Sequence, residues 1–203
     1  MAEKSSKQSA RIIIALVCAI VVAIVTLCAI LYLRKPAEEM PAEPVETIPE
    51  EFVEPTYNAP DDAEEITLGA KKTEITKAGK YILAGTTNKV IEVKADGEVT
   101  LYLNKVSVNA IGSSAIINNT DEALNIVILT GTENSIIASG AGENGVIYSK
   151  ADVGFSGNGG LKIINEDEGG VCVKTEGNYI SHQFNGVACT GEIISKEYVK
   201  DEN

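Results

Sequence analysis

Four carboxylates recur along this chain at nearly regular spacing: Asp96, Asp121, Asp152 and Glu176. Each follows shortly after a short apolar run, so in a stacked chain the four would fall into one column. Stacked carboxylates repel one another, and they must either splay into water or share a cation; oxygen-rich clusters of this kind suit Ca²⁺. The plainer alternative is that Asp is a common turn residue. Lys94, Lys150 and Lys174 fall near the same turn. Lysine beside carboxylate could hold an anionic sugar with calcium, and an ordinary solvated face of mixed charge is the simpler account. Among Tyr102, Tyr148, Phe155, Tyr179 and Phe184, Tyr148 is the best single platform for a sugar ring. It alternates with Ile147, which should point inward, so Tyr148 should face out. The chain has no Trp, which argues against a strong aromatic binding strip.

Other familiar chemistry is missing from the sequence. His182 is the single histidine, and no Ser-His-Asp set can be assembled around it. Gly157-Asn158-Gly159-Gly160 reads as a turn, not a phosphate loop. Cys18 and Cys28 lie in an apolar N-terminal run and are most simply packing residues. Cys172 and Cys189 align with core positions. They could form a disulfide if exported, although two buried thiols are the simpler reading, and neither has metal-site spacing.

The elements that must position these residues come from a repeat of about 25 residues between Val90 and Thr190, with three short apolar runs in the same order four times. The first runs are 90–93, 115–118, 146–149 and 171–174. The second are 99–103, 125–129, 153–156 and 179–184, and the third are 106–108, 135–137, 161–163 and 187–189. β-Branched and apolar residues in short runs, separated by Gly, Asn and Asp, are strand-and-turn chemistry. One unit cannot bury its own apolar face, so the units must stack, and the expectation is an all-β parallel solenoid of about four coils. Asn104, Asn134, Asn158 and Asn185 precede the third runs and are expected to form an amide ladder. Glu192 to Asn203 reads as a partial, charged cap over an end coil whose open strand edges could otherwise pair with another chain.

The N-terminal third is of a different kind. Residues 12–33 form an uncharged apolar run of 22 between Arg11 and Arg34-Lys35. That is long enough to span a bilayer and too long for the apolar part of a cleaved signal peptide. Charge on the flanks favours residues 1–11 in the cytoplasm and the C-terminal domain outside the cell. Residues 34–65 read as a disordered stalk: from 36 to 65 there are six prolines, eleven acids and no base. This segment supplies −11 of the chain's net charge of −12. From residue 66 to 203, the expected β domain, 17 acids face 12 lysines with no arginine. No basic stripe suits nucleic acid.

Ile75-Thr76-Lys77-Ala78-Gly79-Lys80-Tyr81-Ile82-Leu83-Ala84-Gly85 resembles the opening coil of bacterial surface proteins of the carbohydrate-binding domain-containing family. Gly131-Thr132-Glu133-Asn134-Ser135-Ile136 resembles that family's Gly-Thr-x-Asn segment, and Gly145 to Val153 its Ala-Ile-x-Ser-Lys-x-Asp segment. The resemblance covers about residues 66 to 195. It implies a right-handed parallel β-helix similar to pectate lyases, calcium bound at the turns through Asp152, Asp121 and Asp96, and binding without cleavage of acidic plant polysaccharides such as the polygalacturonate of pectin, and of cellulose.

These readings converge on a single-pass membrane protein displaying a small β-helix outside the cell. Its expected work is non-catalytic binding of an extracellular polysaccharide with Ca²⁺, using Tyr148, Lys94, Lys150 and Lys174 for the sugar and Asp96, Asp121, Asp152 and Glu176 for the metal. A structural or adhesive protein of the cell envelope is the alternative. A polysaccharide lyase ranks third, because a domain without arginine leaves only a lysine such as Lys150 as the base.

Overall fold

The computed structural model describes residues 55–182 and 187–201. Strands dominate it: β1 (Glu64–Leu68), β2 (Thr73–Ile75), β3 (Gly79–Thr87), β4 (Ile91–Val93), β5 (Val99–Ile111), β6 (Ile116–Asn118), β7 (Leu124–Ile128), β8 (Glu133–Ser139), β9 (Ile147–Ser149), β10 (Val153–Gly157), β11 (Gly160–Asn165), β12 (Val171–Thr175), β13 (Tyr179–His182), β14 (Val187–Cys189), β15 (Glu192–Ile194) and β16 (Tyr198–Asp201). The one helical element among the described residues is a single 3₁₀ turn, Gly142–Asn144. None is long and apolar enough to cross a membrane, and the expected span at 12–33 lies outside the described residues.

Every strand pairing among the described residues is parallel, and each joins a strand to its counterpart in the next repeat. The first runs stack as a six-stranded sheet in the order β15-β12-β9-β6-β4-β2. The second and third runs form a ten-stranded sheet that forks at β5. Its first half pairs with β7 and its second half with β8. The sequence shows two runs here, 99–103 and 106–108, which the structure joins into one strand. The join lies at Lys105, whose φ of 57° is the one positive value at a described non-glycine residue. The opposite strand β3 shifts register beside it, between Ala84 and Gly85.

Alternation along the strands produces the core. In β5 the residues Val99, Leu101, Leu103, Val106, Val108 and Ala110 are buried, with more exposed residues between them. The same inward columns continue through Leu124, Ile126 and Ile128 of β7 and Ile136 of β8. Phe155 fills the core, and Tyr179 stacks on it with ring centroids 5.4 Å apart; Tyr198 follows at 5.3 Å. Gly157 has φ 109°, and a Cβ there would run into the carbonyl of Ile128, so this corner requires glycine.

Several expectations need correction. Packing begins before residue 66: β1 starts at Glu64, and residues 55–57 lie against the corner formed by Thr130 and Asn158. Thr130 N–H donates to the Tyr57 carbonyl (3.0 Å), Tyr57 N–H to Thr130 Oγ1 (2.7 Å), and Asn158 Nδ2 to the Pro55 carbonyl (2.9 Å). The segment from Glu192 is built of strands, β15 and β16, which add another row to the two sheets.

Among the described residues the Asn ladder does not form. Asn104 lies opposite Ala84, Asn134 opposite Leu161, and Asn158 is at the exposed corner, while Asn185 falls outside the described residues. Asn134 is instead buried in the column of Leu161. Its Oδ1 accepts from Val106 N–H (2.8 Å), and its Nδ2 donates to Thr132 Oγ1 (3.0 Å) and the Gly160 carbonyl (3.1 Å). Finally, Cys172 and Cys189 form a disulfide, with Cα atoms 6.2 Å apart, where two thiols seemed simpler. Cys172 is fully buried.

Candidate functional site

Strands β6, β9 and β12 each close on a small polar residue, and that residue shapes the turn. Asn118, Ser149 and Thr175 occupy one inward column, Asn118 opposite Ser149 and Ser149 opposite Thr175. In three successive rows the side chain accepts the backbone N–H two residues on. Thr120 N–H donates to Asn118 Oδ1 (3.3 Å), Ala151 N–H to Ser149 Oγ (3.2 Å) and Gly177 N–H to Thr175 Oγ1 (3.0 Å). Such side-chain turns satisfy backbone donors where a strand stops. The rows are tied together as well, since Asn118 Nδ2 donates to Ser149 Oγ (2.9 Å). The sequence signal is a small polar residue at 118, 149 and 175 where the earlier repeat has Val93, and apolar alternation alone does not reveal it.

These turns carry the acidic column to one edge of the six-stranded sheet, where its members part company. Asp121, Asp152, Lys150 and Lys196 line an open groove of about 270 Å³ floored by Ala123, Ala151 and Gly177. Asp152 Oδ1 accepts Asn178 N–H (2.7 Å), which fixes the carboxylate. A Cβ on Gly177 would collide with that carboxylate, so the close approach depends on glycine. Asp96 is exposed and is not among the groove residues. Glu176 instead accepts a hydrogen bond from the Tyr148 hydroxyl (2.6 Å). Among the described residues no three acidic, histidine or cysteine side chains converge as metal ligands. Calcium takes six to eight oxygens. Two carboxylates sharing a groove with two ammonium groups do not supply that set without ligand oxygens.

The outer face of the six-stranded sheet carries the four expected sugar-binding residues in two adjacent columns. One column runs Glu74, Glu92, Ile117, Tyr148, Lys174, Ile194. The next holds Lys94, Asn119, Lys150 and Glu176, whose backbone N–H groups continue the ladder onto the preceding row. Tyr148 therefore faces outward, half-buried, between Ile117 and Lys174. Hydrogen bonding to Glu176 pushes its phenol pKa up, because a phenolate beside that carboxylate would be repelled.

Lys94 differs from Lys150 and Lys174. It pairs with Glu74 (3.0 Å) and Glu92 (3.0 Å), and Lys72 pairs with the same two acids. Asn119 Nδ2 adds a hydrogen bond to Glu92 (3.1 Å). Held first by Lys72 and then by Lys94 and Asn119, Glu92 has its pKa lowered to about 2. Lys94 thus serves an ion-pair network. Lys150, Lys174 and Lys196 make no ion pair within 4 Å among the described residues.

The arrangement can present a flat apolar–aromatic strip, Ile117 and Tyr148, rimmed by uncompensated ammonium groups and bordered by a groove with two carboxylates. Rows in a sheet stand about 4.8 Å apart, so the four rows from Glu92 to Lys174 run roughly 14 Å. A family model described as "Carbohydrate-binding domain-containing protein" matches residues 70–197. No curated protein and no solved structure matches the chain.

Proposed function

The chain belongs to the carbohydrate-binding domain-containing protein family, and from that premise we propose that the outer face of the six-stranded sheet, with the groove at its edge, binds an extracellular acidic polysaccharide without cleaving it. Family membership supports the carbohydrate-binding role and suggests a non-catalytic module. One observation carries the location: Tyr148, half-buried, faces outward in the middle of the sheet face with Lys150 and Lys174 beside it, and neither lysine is neutralised by a neighbour. An aromatic ring offers its face to the C–H surface of a sugar, and ammonium groups at strand spacing match carboxylates repeated along a polymer. Calcium enters this reading as a bridge between Asp121 and Asp152 and the sugar carboxylates, which would complete the oxygen set.

The remaining parts of the proposal are architectural. The parallel rows, each returning to the same sheet, support a right-handed β-helix, since parallel crossovers take that hand in nearly all cases. The Cys172–Cys189 disulfide supports export to an oxidising compartment, consistent with a membrane anchor at 12–33.

Retardation of the full chain in gels containing polygalacturonate, with and without a calcium chelator, tests the reading. Tyr148→Ala and Lys150→Ala are expected to abolish most of the retardation. A neutral polymer such as cellulose serves as the comparison. If polygalacturonate leaves mobility unchanged, or if both variants bind as well as the parent, this face is not the site. If retardation survives chelation, the calcium bridge is discarded and the face is kept.

A further inference from the structure

We propose that the groove at the edge of the six-stranded sheet receives a sugar residue carrying a protonated amino group beside a carboxylate, so that the polymer bound is zwitterionic. The inference rests on the carbohydrate reading and narrows its ligand class. Four charged residues line the groove, Asp121 and Asp152 against Lys150 and Lys196. Asp121 lies in the turn after β6, Lys150 and Asp152 in the turn after β9, and Lys196 in the segment after β15. The turn after β12 supplies Gly177 on the floor, and the Gly177 carbonyl accepts Lys196 N–H (2.9 Å). Elsewhere on this sheet opposite charges close on one another, as Lys94 does on Glu74 and Glu92, both at 3.0 Å. In the groove they do not: among the described residues no ion pair within 4 Å joins its acids to its lysines. Asp152 Oδ1 is held by Asn178 N–H (2.7 Å), which leaves Oδ2 without a donor among the described residues.

Charge and size select the ligand. The two acids and two lysines sum to zero, so a bare polyanion meets two carboxylates and a bare dication meets two ammonium groups. A residue with one ammonium and one carboxylate satisfies both pairs. Its ammonium donates to Asp121 and to Asp152 Oδ2, and its carboxylate accepts from Lys150 and Lys196. The ammonium brings its own hydrogens to the carboxylates and needs none of the six to eight oxygens that calcium requires. A zwitterion also escapes the long-range repulsion that a chain of net charge −12 exerts on a polyanion. The small floor residues Ala123, Ala151 and Gly177 leave about 270 Å³ above them. Ligand pockets run upward from about 300 Å³, so the groove has room for about one residue of a chain. Lys150 belongs both to the groove and to the outer column beside Tyr148, so neighbouring residues of that chain can lie along the Tyr148 strip.

Equilibrium binding of the full chain in detergent micelles to three immobilised polymers tests the proposal. Carboxymethyl chitosan carries free amines beside carboxylates, its N-acetylated form keeps only the carboxylates, and polygalacturonate is the uronate comparison. Binding is measured at mildly acidic pH, where the amines are protonated, with a calcium chelator and again with calcium. The free-amine polymer should bind about tenfold more tightly than its N-acetylated form, and chelation should not weaken it. Asp121→Asn and Asp152→Asn should each remove most of that preference without weakening binding to the N-acetylated polymer, whereas a folding defect would weaken both alike. Asn at 152 keeps an oxygen for Asn178 N–H, and circular dichroism verifies both variants. Equal binding to the two chitosan polymers overturns the proposal and leaves the acidic-polymer reading standing. A preference that survives both substitutions also overturns it, because the amines are then drawn to acids outside the groove. Aspartate-dependent binding of the amine polymer, with polygalacturonate unbound even with calcium, supports the proposal and sinks the purely acidic reading. Binding to none of the three overturns both.

Discussion

Replacing Glu92 by Gln should cost stability and free a lysine at once. Glu92 sits between Lys72 and Lys94 on the outer face, and its carboxyl pKa falls from 4.5 to about 2. At about 1.36 kcal/mol per unit, that shift alone corresponds to roughly 3.4 kcal/mol. The figure must be discounted, because the two lysine side chains are 46% and 44% exposed and water screens them. Exposed ion pairs are typically worth 0.2–1 kcal/mol each, so two pairs and one hydrogen bond give about 1–2 kcal/mol. The sign follows from the depressed pKa. The contribution is fully present above pH 4.5 and is lost as pH falls through about 2. Urea unfolding of both proteins between pH 7 and pH 2 is the assay, repeated at high salt. The stability difference should shrink toward zero at the acid end and in salt. A difference that persists unchanged at pH 2 would refute the electrostatic argument and point to lost packing. The same substitution removes one of the two acids that hold Lys94, so retardation by polygalacturonate should become stronger, which tests whether that pairing is what withdraws Lys94 from the sugar face.

Three further outcomes follow from the structure. Cys172→Ala should lower stability by about 3 kcal/mol, the value for a cross-link spanning 17 residues, and reduction of the parent protein should cost the same in thermal unfolding. Asn118→Ala removes the amide that bonds Ser149 Oγ, the Glu122 carbonyl and Thr120 at the first turn; unfolding should show a loss of about 2–3 kcal/mol, with Ser149→Ala less costly. Asn158→Ala should speed hydrogen exchange at the Tyr57 amide by roughly fivefold, because Thr130 Oγ1, which accepts that N–H, is itself oriented by its 2.5 Å hydrogen bond to Asn158 Oδ1. If the Tyr57 amide already exchanges at the rate of a free peptide in the parent, the 55–57 segment is not held as described.

The architecture was legible because the apolar runs alternate with a period of two and recur every 25 to 31 residues. That double periodicity leaves few solutions other than parallel rows, and it placed Ile147 inward and Tyr148 outward as found. Cys189 falls opposite Ile163, as its alignment suggested. The Asn positions were not legible. Moving a residue by one along a strand sends it to the other face, and Asn104 and Asn134 stand at different offsets from the bend at Lys105. A ladder inferred from sequence spacing alone could not survive that difference.

The amino-acid sequence by itself determined that this chain would be built of parallel strands in repeating rows, which residues would form the core, and that acidic residues would recur at the turns after the first runs. Those properties follow from alternation and turn chemistry, both local to a few residues. Only the tertiary structure decided which charges are already satisfied. Lys94 and Lys150 occupy the same place two repeats apart, but Lys94 meets Glu74 and Glu92, while Lys150 opens onto a groove. It also decided that Cys172 reaches Cys189 and that the final row leaves Tyr198 in water. Each of these depends on neighbours brought close by stacking, a distance that spacing along the chain does not encode.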